Sequence, residues 1–472
     1  MPSQNEYNVS LQANRNTHVK VELMDYNYII LDNLEGNLLS GTVTIDSESD
    51  VRRTCRIEMV VSDASFDVGT GGKIWLNRLI KVSVGVDDMR SGETAWTNLG
   101  IFLINSPTYS YDATTSNLNF EAVDLMSLLT GMRNGYLTGI TYEVPQGSNV
   151  REVIIAVLKE NGFDQYVVSE CKNVDGALQN VPNDMEWGQG STWYDILADM
   201  RDILPNYQIY FDVNGVFHYE PIPASASDPI LVDTEVWDEN VISEGIPVNF
   251  EEIKNVVEVY GASHDALDFS IETTISGTNI SLSIPSLEEL KEYTTIGWTM
   301  GADVSGTAIT LTVNSSLGPH PLVNMSGGAI TSLAKNTFWV ATYQADNTWL
   351  FMGHQQAQGI AKEENPESPF YVGAVGEIKL VLYGGEYANI STDELAQQRA
   401  EYEIYKRCQL NDAITVTSVP IYWLDVNWKT RYRQRHGTEV HEYSIKNISM
   451  GLTPEDTATI TLNRFYPYYE NY

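Results

Sequence analysis

The chain is poor in cysteine, in positive charge and in long apolar runs. Its three cysteines, Cys55, Cys171 and Cys408, stand far apart, with neither a metal-ligand spacing nor an even-numbered disulfide framework. Reduced, buried thiols are expected. Only 28 Lys and Arg stand against 63 Asp and Glu over 472 residues, a formal charge of −35. Such a chain repels a phosphate backbone and an anionic membrane surface, so specific nucleic-acid binding and membrane docking are excluded. The longest uninterrupted apolar run lies at 153–158, far short of the ~20 residues a spanning helix needs. The first ten residues are polar and lack a basic region followed by an apolar core, so no secretory signal is expected and synthesis is assigned to a cytoplasm.

Catalytic patterns are also missing. The seven histidines are scattered. His436 and His441 do not share a helical face, and His441-Glu442 lacks the second histidine of a zinc-protease motif. No Gly-x-Ser-x-Gly elbow occurs. Gly69-Thr-Gly-Gly72 lacks the Lys-Ser/Thr and the following helix of a phosphate loop. His218 and Glu220 share a strand face that could hold a metal, but a surface pair is the better account. Asp212-Val-Asn-Gly215 has half a calcium loop without its distal glutamate. The chain is therefore not expected to be an enzyme, nor to carry a metal or cofactor.

What is present is β structure. Alternating apolar and polar residues mark strands at 19–23, 42–45, 56–61, 80–84, 98–104 and 118–123, and a short helix capped by Asp124 follows. After Pro145 the period changes. Val150, Val153, Ile154, Val157 and Leu158 define a helix over 149–161, with Asn149 as cap and Gly162 as stop. A second helix starts at Ser191 or Thr192 and ends at Pro205. Asn214-Gly215 then predicts a hairpin between 207–213 and 216–220, with positive φ tolerated at both turn positions. A linker at 224–229 precedes strands at 230–232 and 255–260. From Met300 to Ile360 the charged residues are Asp303, Lys335 and Asp346 alone, which marks a separate β module. Ser391 and Glu394 predict a capping box for a third helix reaching about Cys408. Strands close the chain at 413–419, 429–435, 442–450 and 458–462.

Two features suggest partners. Lys429, Arg431, Arg433 and Arg435 fall at strand spacing, so Arg431, Arg433 and Arg435 form a basic stripe suited to a subunit or partner interface, or to a charged, protected edge. In the low-charge module, Trp298, Tyr343 and Trp349 are candidate ligand-facing aromatics, with a small β core as the alternative.

The C-terminal stretch Leu395-Ala-Gln-Gln-Arg-Ala-Glu-Tyr-Glu-Ile-Tyr-Lys-Arg407, then Thr417-Ser-Val-Pro-Ile-Tyr-Trp-Leu-Asp-Val-Asn427 and Tyr443-Ser-Ile-Lys-Asn-Ile-Ser449, resembles tail hub (baseplate hub) proteins of bacteriophages and prophages. So does the N-terminal region running into Asp124-Leu-Met-Ser-Leu-Leu129. The resemblance spans residues 19–268 and 366–472. The low-charge module, with Thr310-Leu-Thr-Val-Asn314 and Trp349-Leu-Phe-Met-Gly353, is similar to a small β-barrel of phage tail fibre and minor tail proteins. The resemblance implies a mainly β chain with a small α+β domain: a first tube-like β-barrel at 1–130, the α+β domain at 131–225, a second tube-like barrel from 226–268 and 366–472, and an inserted all-β module at 269–365. It implies a structural virion protein of the tail tip: a homotrimer that joins the six-fold tail tube or distal tail protein to three-fold tip or receptor-binding proteins, and forms the gated channel for the tape-measure protein and DNA ejection. The chain ends at Tyr472 after the last hub strand, so no wall-hydrolase extension is expected. The alternative is a host-surface adhesin that binds carbohydrate through the inserted module.

Overall fold

The computed structural model describes residues 2–467, apart from 13–14, 35, 62–67, 71, 112–115, 140, 173–175, 205, 247–249, 264–272, 409–412, 436, 438 and 466. Gly71, Pro205, His436 and the segment 264–268, all used above, lie outside the described residues.

The N-terminal strands are β1 (Thr17–Met24), β2 (Ile30–Asn33), β3 (Gly36–Asp46), β4 (Arg53–Val61), β5 (Leu79–Asp87), β6 (Thr94–Ile104), β7 (Thr108–Tyr111) and β8 (Ser116–Asp124). They pair in the order β3-β4-β8-β6-β5-β1-β2, with β7 on β8. In β4, Cys55, Ile57, Met59 and Val61 are buried while Thr54 and Arg56 are exposed, the alternation of a sheet with one wet face. The sheet does not end at β3. Thr42 to Asp46 pair antiparallel with Gly451 to Asn447 of the strand Val440–Gly451. From there it continues through Ala458–Arg464 and Ile414–Ser418 to Val241–Gly245, while Lys429–Arg433 flanks Val440–Gly451. Thirteen strands from both ends of the chain thus form one sheet. Its core is equally continuous: Ile57, Phe102 and Phe120 share one apolar cluster with Trp237, Val416, Ile448 and Ile460. The fold is mainly β, as the sequence implies.

A second core gathers the helices Val150–Glu160 and Trp193–Asp202 over the hairpin Tyr207–Phe211 and Phe217–Pro221. Asn149 caps the first helix through its side chain, and Thr192 forms a capping box with Asp195 on the second. The hairpin turn differs from expectation. Gly215 alone has positive φ, at +76°. The Gly215 N–H donates to the Asp212 carbonyl, and Asp212 and Val216 close the loop. This is a three-residue connection with a glycine bulge rather than a mirror-image two-residue turn. The cause is Asp212, whose Oδ1 accepts from Asn214 N and Val216 N at 2.8 and 2.9 Å.

Between Val256–Ser263 and Gln356–Lys362 the chain leaves one small sheet, builds a seven-stranded one and returns beside its point of departure. Trp298, Trp349, Leu311 and Ile296 fill the core of the seven-stranded sheet. The small sheet, completed by Lys379–Tyr383, packs on the helix Asp393–Arg407. That helix is capped by Thr392, one residue later than expected. Glu394 does not close a box, because the shifted cap puts Leu395 at the third helical position, and the Glu394 carboxylate accepts from Met325 N at 3.2 Å. The base of the module is held by Asp393. One of its oxygens takes His354 N at 3.0 Å and His354 Nδ1 at 2.6 Å, and the other takes Gln358 N at 2.9 Å. Gly353 (φ +96°) lies so close that a Cβ there would stand 2.1 Å from Asp393 Cγ.

The strand expected at 230–232 is reduced to a single bridge from Val232 to Thr430. The ammonium of Lys429 commits the preceding loop to itself, donating to the carbonyls of Ala226, Asp228 and Ser225.

Trp298 fixes the inserted core, so Trp298→Ala is expected to cost the module about 3–5 kcal/mol. Differential scanning calorimetry should show an early transition for this variant, with the main unfolding peak unmoved.

Candidate functional site

The most unusual chemistry lies where three parts of the chain meet. Arg52 and Arg53 open β4, and both are buried. Arg53 reaches in three directions. Its backbone N–H donates to Asp124 Oδ2 at 2.8 Å, its Nη1 donates to the Phe211 carbonyl at 2.6 Å, and its Nη2 forms an ion pair with Asp425. Arg52 lies 4.0 Å from the centroid of the Tyr210 ring and donates to Gln208 Oε1 at 2.8 Å. Asn427 donates to that same oxygen at 2.8 Å, and Lys446 Nζ donates to Asn427 Oδ1 at 3.1 Å. The Tyr210 hydroxyl donates to Glu220 Oε1 at 2.8 Å, and its ring stacks on His218. N-terminal sheet, α+β layer and C-terminal loop are thereby joined by one buried polar network.

Burial sets the titration of these groups. It pulls the Arg52 guanidinium down to about 10 and the Lys446 ammonium down to about 8. It pushes the Asp124 carboxyl up to about 6, although two backbone N–H groups and the arginines oppose the shift. His218 goes the other way. Burial works against its charge, but Asp212 and Glu220, each 3.6 Å from a ring nitrogen, outweigh it and hold the imidazolium up to about 9. Among the described residues no cluster of His, Cys, Asp and Glu has metal-site geometry. The arrangement performs docking chemistry: it makes the mutual position of three layers a condition for neutralising buried charge.

The basic stripe is partly as expected. Arg431, Arg433 and Arg435 are exposed, but Lys429, in phase with them, is fully buried beneath the 225–228 loop and paired with Glu442 at 2.8 Å. Arg431 stands 3.7 Å from Glu442 and Arg433 3.9 Å from Asp238. Arg435 lies against the last strand of the sheet, where its N–H donates to Glu244 and its Nη1 to the Ile242 carbonyl. The three arginines therefore border a sheet edge rather than form an isolated basic patch. The candidate ligand-facing aromatics are corrected by burial. Trp298 and Trp349 are 0% exposed and Tyr343 6%, because a small β module has no other bulk to fill its centre. They face the core, not a ligand.

The sheet has two open edges. At one end β2 is exposed throughout, with Ile30 at 50% and Leu31 at 48%. At the other, Val241–Gly245 presents Ile242 at 49%. Edges of this kind are templates for another chain.

This architecture, a sheet shared by both ends of the chain, recurs in solved structures. The chain is similar to the 43 kDa tail protein of prophage MuSo2 from Shewanella oneidensis, with a TM-score of 0.50 and 12% identity over 94% of this chain and 98% of that one. It is also similar to the tail protein from Neisseria meningitidis MC58, with a TM-score of 0.50 and 8% identity over 96% of this chain and 98% of that one. A family model described as a domain of unknown function (DUF5048) matches residues 367–469. No curated protein matches the chain in sequence. At such identities the likeness is one of fold. The chain has the fold of these tail proteins.

Two measurements address the junction. Asp425→Asn leaves the buried Arg53 guanidinium without its anion, and a loss of about 3–5 kcal/mol is expected in urea unfolding. His218 should titrate near pH 9 by NMR, not near the ordinary 6.5. Its folded pKa is raised, so its contribution to stability is complete below about pH 6.5 and disappears as pH rises through about 9. A His218 midpoint at 6.5 would remove the paired carboxylates from the argument.

Proposed function

We propose that the chain is the tail hub: a homotrimer at the distal end of a phage tail tube, in which each subunit supplies two tube-like β-barrel domains and three subunits imitate a six-fold ring. The observation that carries this reading is the thirteen-stranded sheet with an open strand at each end. A sheet whose two edges differ in sequence joins copies head to tail, and such contacts close into a ring when the rotation divides the circle. The 1–130 segment and the 226–268 and 366–472 segments would be the two tube-like domains, the 131–225 segment a bracket outside them, and the 269–365 module an attachment on the ring. The ring would hold the tail tube or distal tail protein on one side and tip or receptor-binding proteins on the other. Its channel would pass the tape-measure protein and then DNA.

The charge supports this role. At −35 per subunit, a trimer lined with part of its acid repels the phosphate backbone and lets DNA slide without sticking. Arg431, Arg433 and Arg435, placed beside an open edge, fit a contact between subunits rather than the lumen. The role is one of shape and interfaces, non-enzymatic and without a cofactor. The adhesin alternative loses its basis, since the aromatics it required are core residues.

The test is the mass and symmetry of the purified full-length protein by light scattering and electron microscopy. Three times the monomer mass and a three-fold ring are expected. Ile30→Lys together with Ile242→Lys, both at exposed edge positions, should return monomers with an unchanged melting temperature. A trimer that survives both changes would show that the edges are not the seam, and a protein that is monomeric at all concentrations and with tube partners present would overturn the hub reading.

A further inference from the structure

Lys446 and Asn427 meet at the junction through two irregularities of the backbone. Lys446 is the extra residue of a β-bulge: Ile445 pairs with Leu462 and Asn447 with Thr461, so Lys446 has no opposite residue on that strand. A bulge re-aims its side chain, and bulges concentrate next to reactive sites. Asn427 is 3% exposed and sits at φ +58°, a left-handed conformation that residues other than glycine seldom adopt. Two backbone bonds hold the pair side by side. Asn427 N–H donates to the Ile445 carbonyl at 2.7 Å, and Ile445 N–H donates to the Trp428 carbonyl at 3.0 Å. Beside them Lys446 Nζ stands 3.1 Å from Asn427 Oδ1.

As an ammonium, Lys446 is poorly served. It has three donors, and among the described residues its acceptor is that one neutral oxygen. Burial, with repulsion from Lys406 and Arg52, draws the ammonium down to about 8, against the pull of Glu48. Near pH 8 about half of the population is then a neutral amine, which is a nucleophile. The amide opposite is oriented for attack. Asn427 Nδ2 donates to Gln208 Oε1 at 2.8 Å, which turns the carbonyl toward Lys446 and the amide nitrogen away. Gln208 is fixed in turn by Arg52 and Glu220. A carboxylate is also at hand. Glu48 follows Ser47, whose N–H donates to the Lys446 carbonyl at 3.0 Å, and its charge acts on the ammonium.

We propose that Lys446 and Asn427 mature into an intramolecular isopeptide bond. Neutral Nζ attacks Asn427 Cγ, the Cγ–Nδ2 bond breaks, and Nδ2 leaves as ammonia with a proton released by Nζ. Glu48 relays that proton. One amine and one primary amide become one secondary amide and one ammonia, with no oxidant, reductant or further reactant. The reaction removes a cation that the site satisfies poorly. It also closes the 427–446 segment covalently where Arg52, Gln208 and Asn427 meet. None of this depends on the hub reading.

The experiment is intact-mass spectrometry of the full-length protein, unfolded after incubation at about pH 8.5, followed by peptide mapping. The expected mass is lower than the sequence mass by one ammonia, with a branched peptide joining residues 427 and 446. A sample kept unfolded in urea throughout should retain the sequence mass. Lys446→Met, which keeps the stem, and Asn427→Gly, which keeps the positive φ, should retain it as well. Glu48→Gln, at an exposed position, should slow the loss of ammonia by about tenfold or more. An unchanged rate in that variant would overturn the relay. The sequence mass in the folded wild type, an ammonia loss that maps elsewhere, such as a succinimide at Asn214-Gly215, or an equal loss in Lys446→Met would each overturn the bond itself.

Discussion

The ion pair between Arg53 and Asp425 is the constraint on which the rest of the structure depends. A guanidinium withdrawn from water loses several kcal/mol of solvation, and its pairing restores that loss only when every partner is in place. Here the guanidinium's partners come from distant parts of the chain, the Phe211 carbonyl from the hairpin and Asp425 from the C-terminal loop, while Asp124 at the end of β8 accepts from the backbone N–H of the same residue. None of these suffices alone. Arg52, against Tyr210 and Gln208, repeats the arrangement one residue away. A buried charge of this kind adds little net stability compared with apolar packing, but it sharply penalises any other docking of the three layers. If the chain joins tail partners as proposed, a defined relative placement would matter more than a few additional kcal/mol.

The same logic explains the topology. Asp46 pairs with Asn447, so the central ladder joins residues about four hundred positions apart. Closing so long a loop costs entropy that grows only logarithmically, which a thirteen-stranded ladder and a shared core offset. It also makes the insertion harmless. The chain departs after Val256–Ser263 and returns on the antiparallel neighbour Gln356–Lys362, so its two ends are already close and any compact module can be placed between them. What keeps the module from swinging is local: Asp393 at the start of a helix, gripping His354 and Gln358.

Much of this was legible in the sequence, and the failures are instructive. Strands with one wet face, such as β4, and helices with strong caps, such as the one begun by Asn149, announce themselves by period and cap. The low-charge stretch is β in both sequence and structure. Composition does not show direction, so its aromatics suit a ligand or a core equally, and the bulk needed to fill a small core decides for the second. At the helix Gln4–Ser10, Ser3 and Glu6 spell out the capping box that the structure forms. At Ser391 and Glu394 the same spacing does not close a box, since the cap falls one residue later at Thr392. The junction itself was invisible. Arg52-Arg53, Gln208, Asp425 and Lys446 carry no motif, and only tertiary contact brings them together.

The placement of charge separates what is closed within a subunit from what is left open. Lys429 and Arg431 to Arg435 occupy one strand at the same period, yet they have opposite fates. Lys429 is sealed under the 225–228 loop, bound to three carbonyls and Glu442, and so belongs to the fold. The arginines remain at the surface, Arg431 and Arg433 loosely paired at 3.7 Å or more and Arg435 bound to the edge strand Val241–Gly245 itself. Exposed ion pairs of that length add little to the stability of a monomer. Their value would lie in keeping a necessary open edge soluble and in register until a partner strand arrives, because charge at an edge discourages random pairing. The proposed ring-forming subunit would face two conflicting demands: edges that pair with one specific partner, and edges that do not pair with everything else. Short edge strands, apolar at Ile30 and Ile242 and charged at Asp32 and Glu244, meet both.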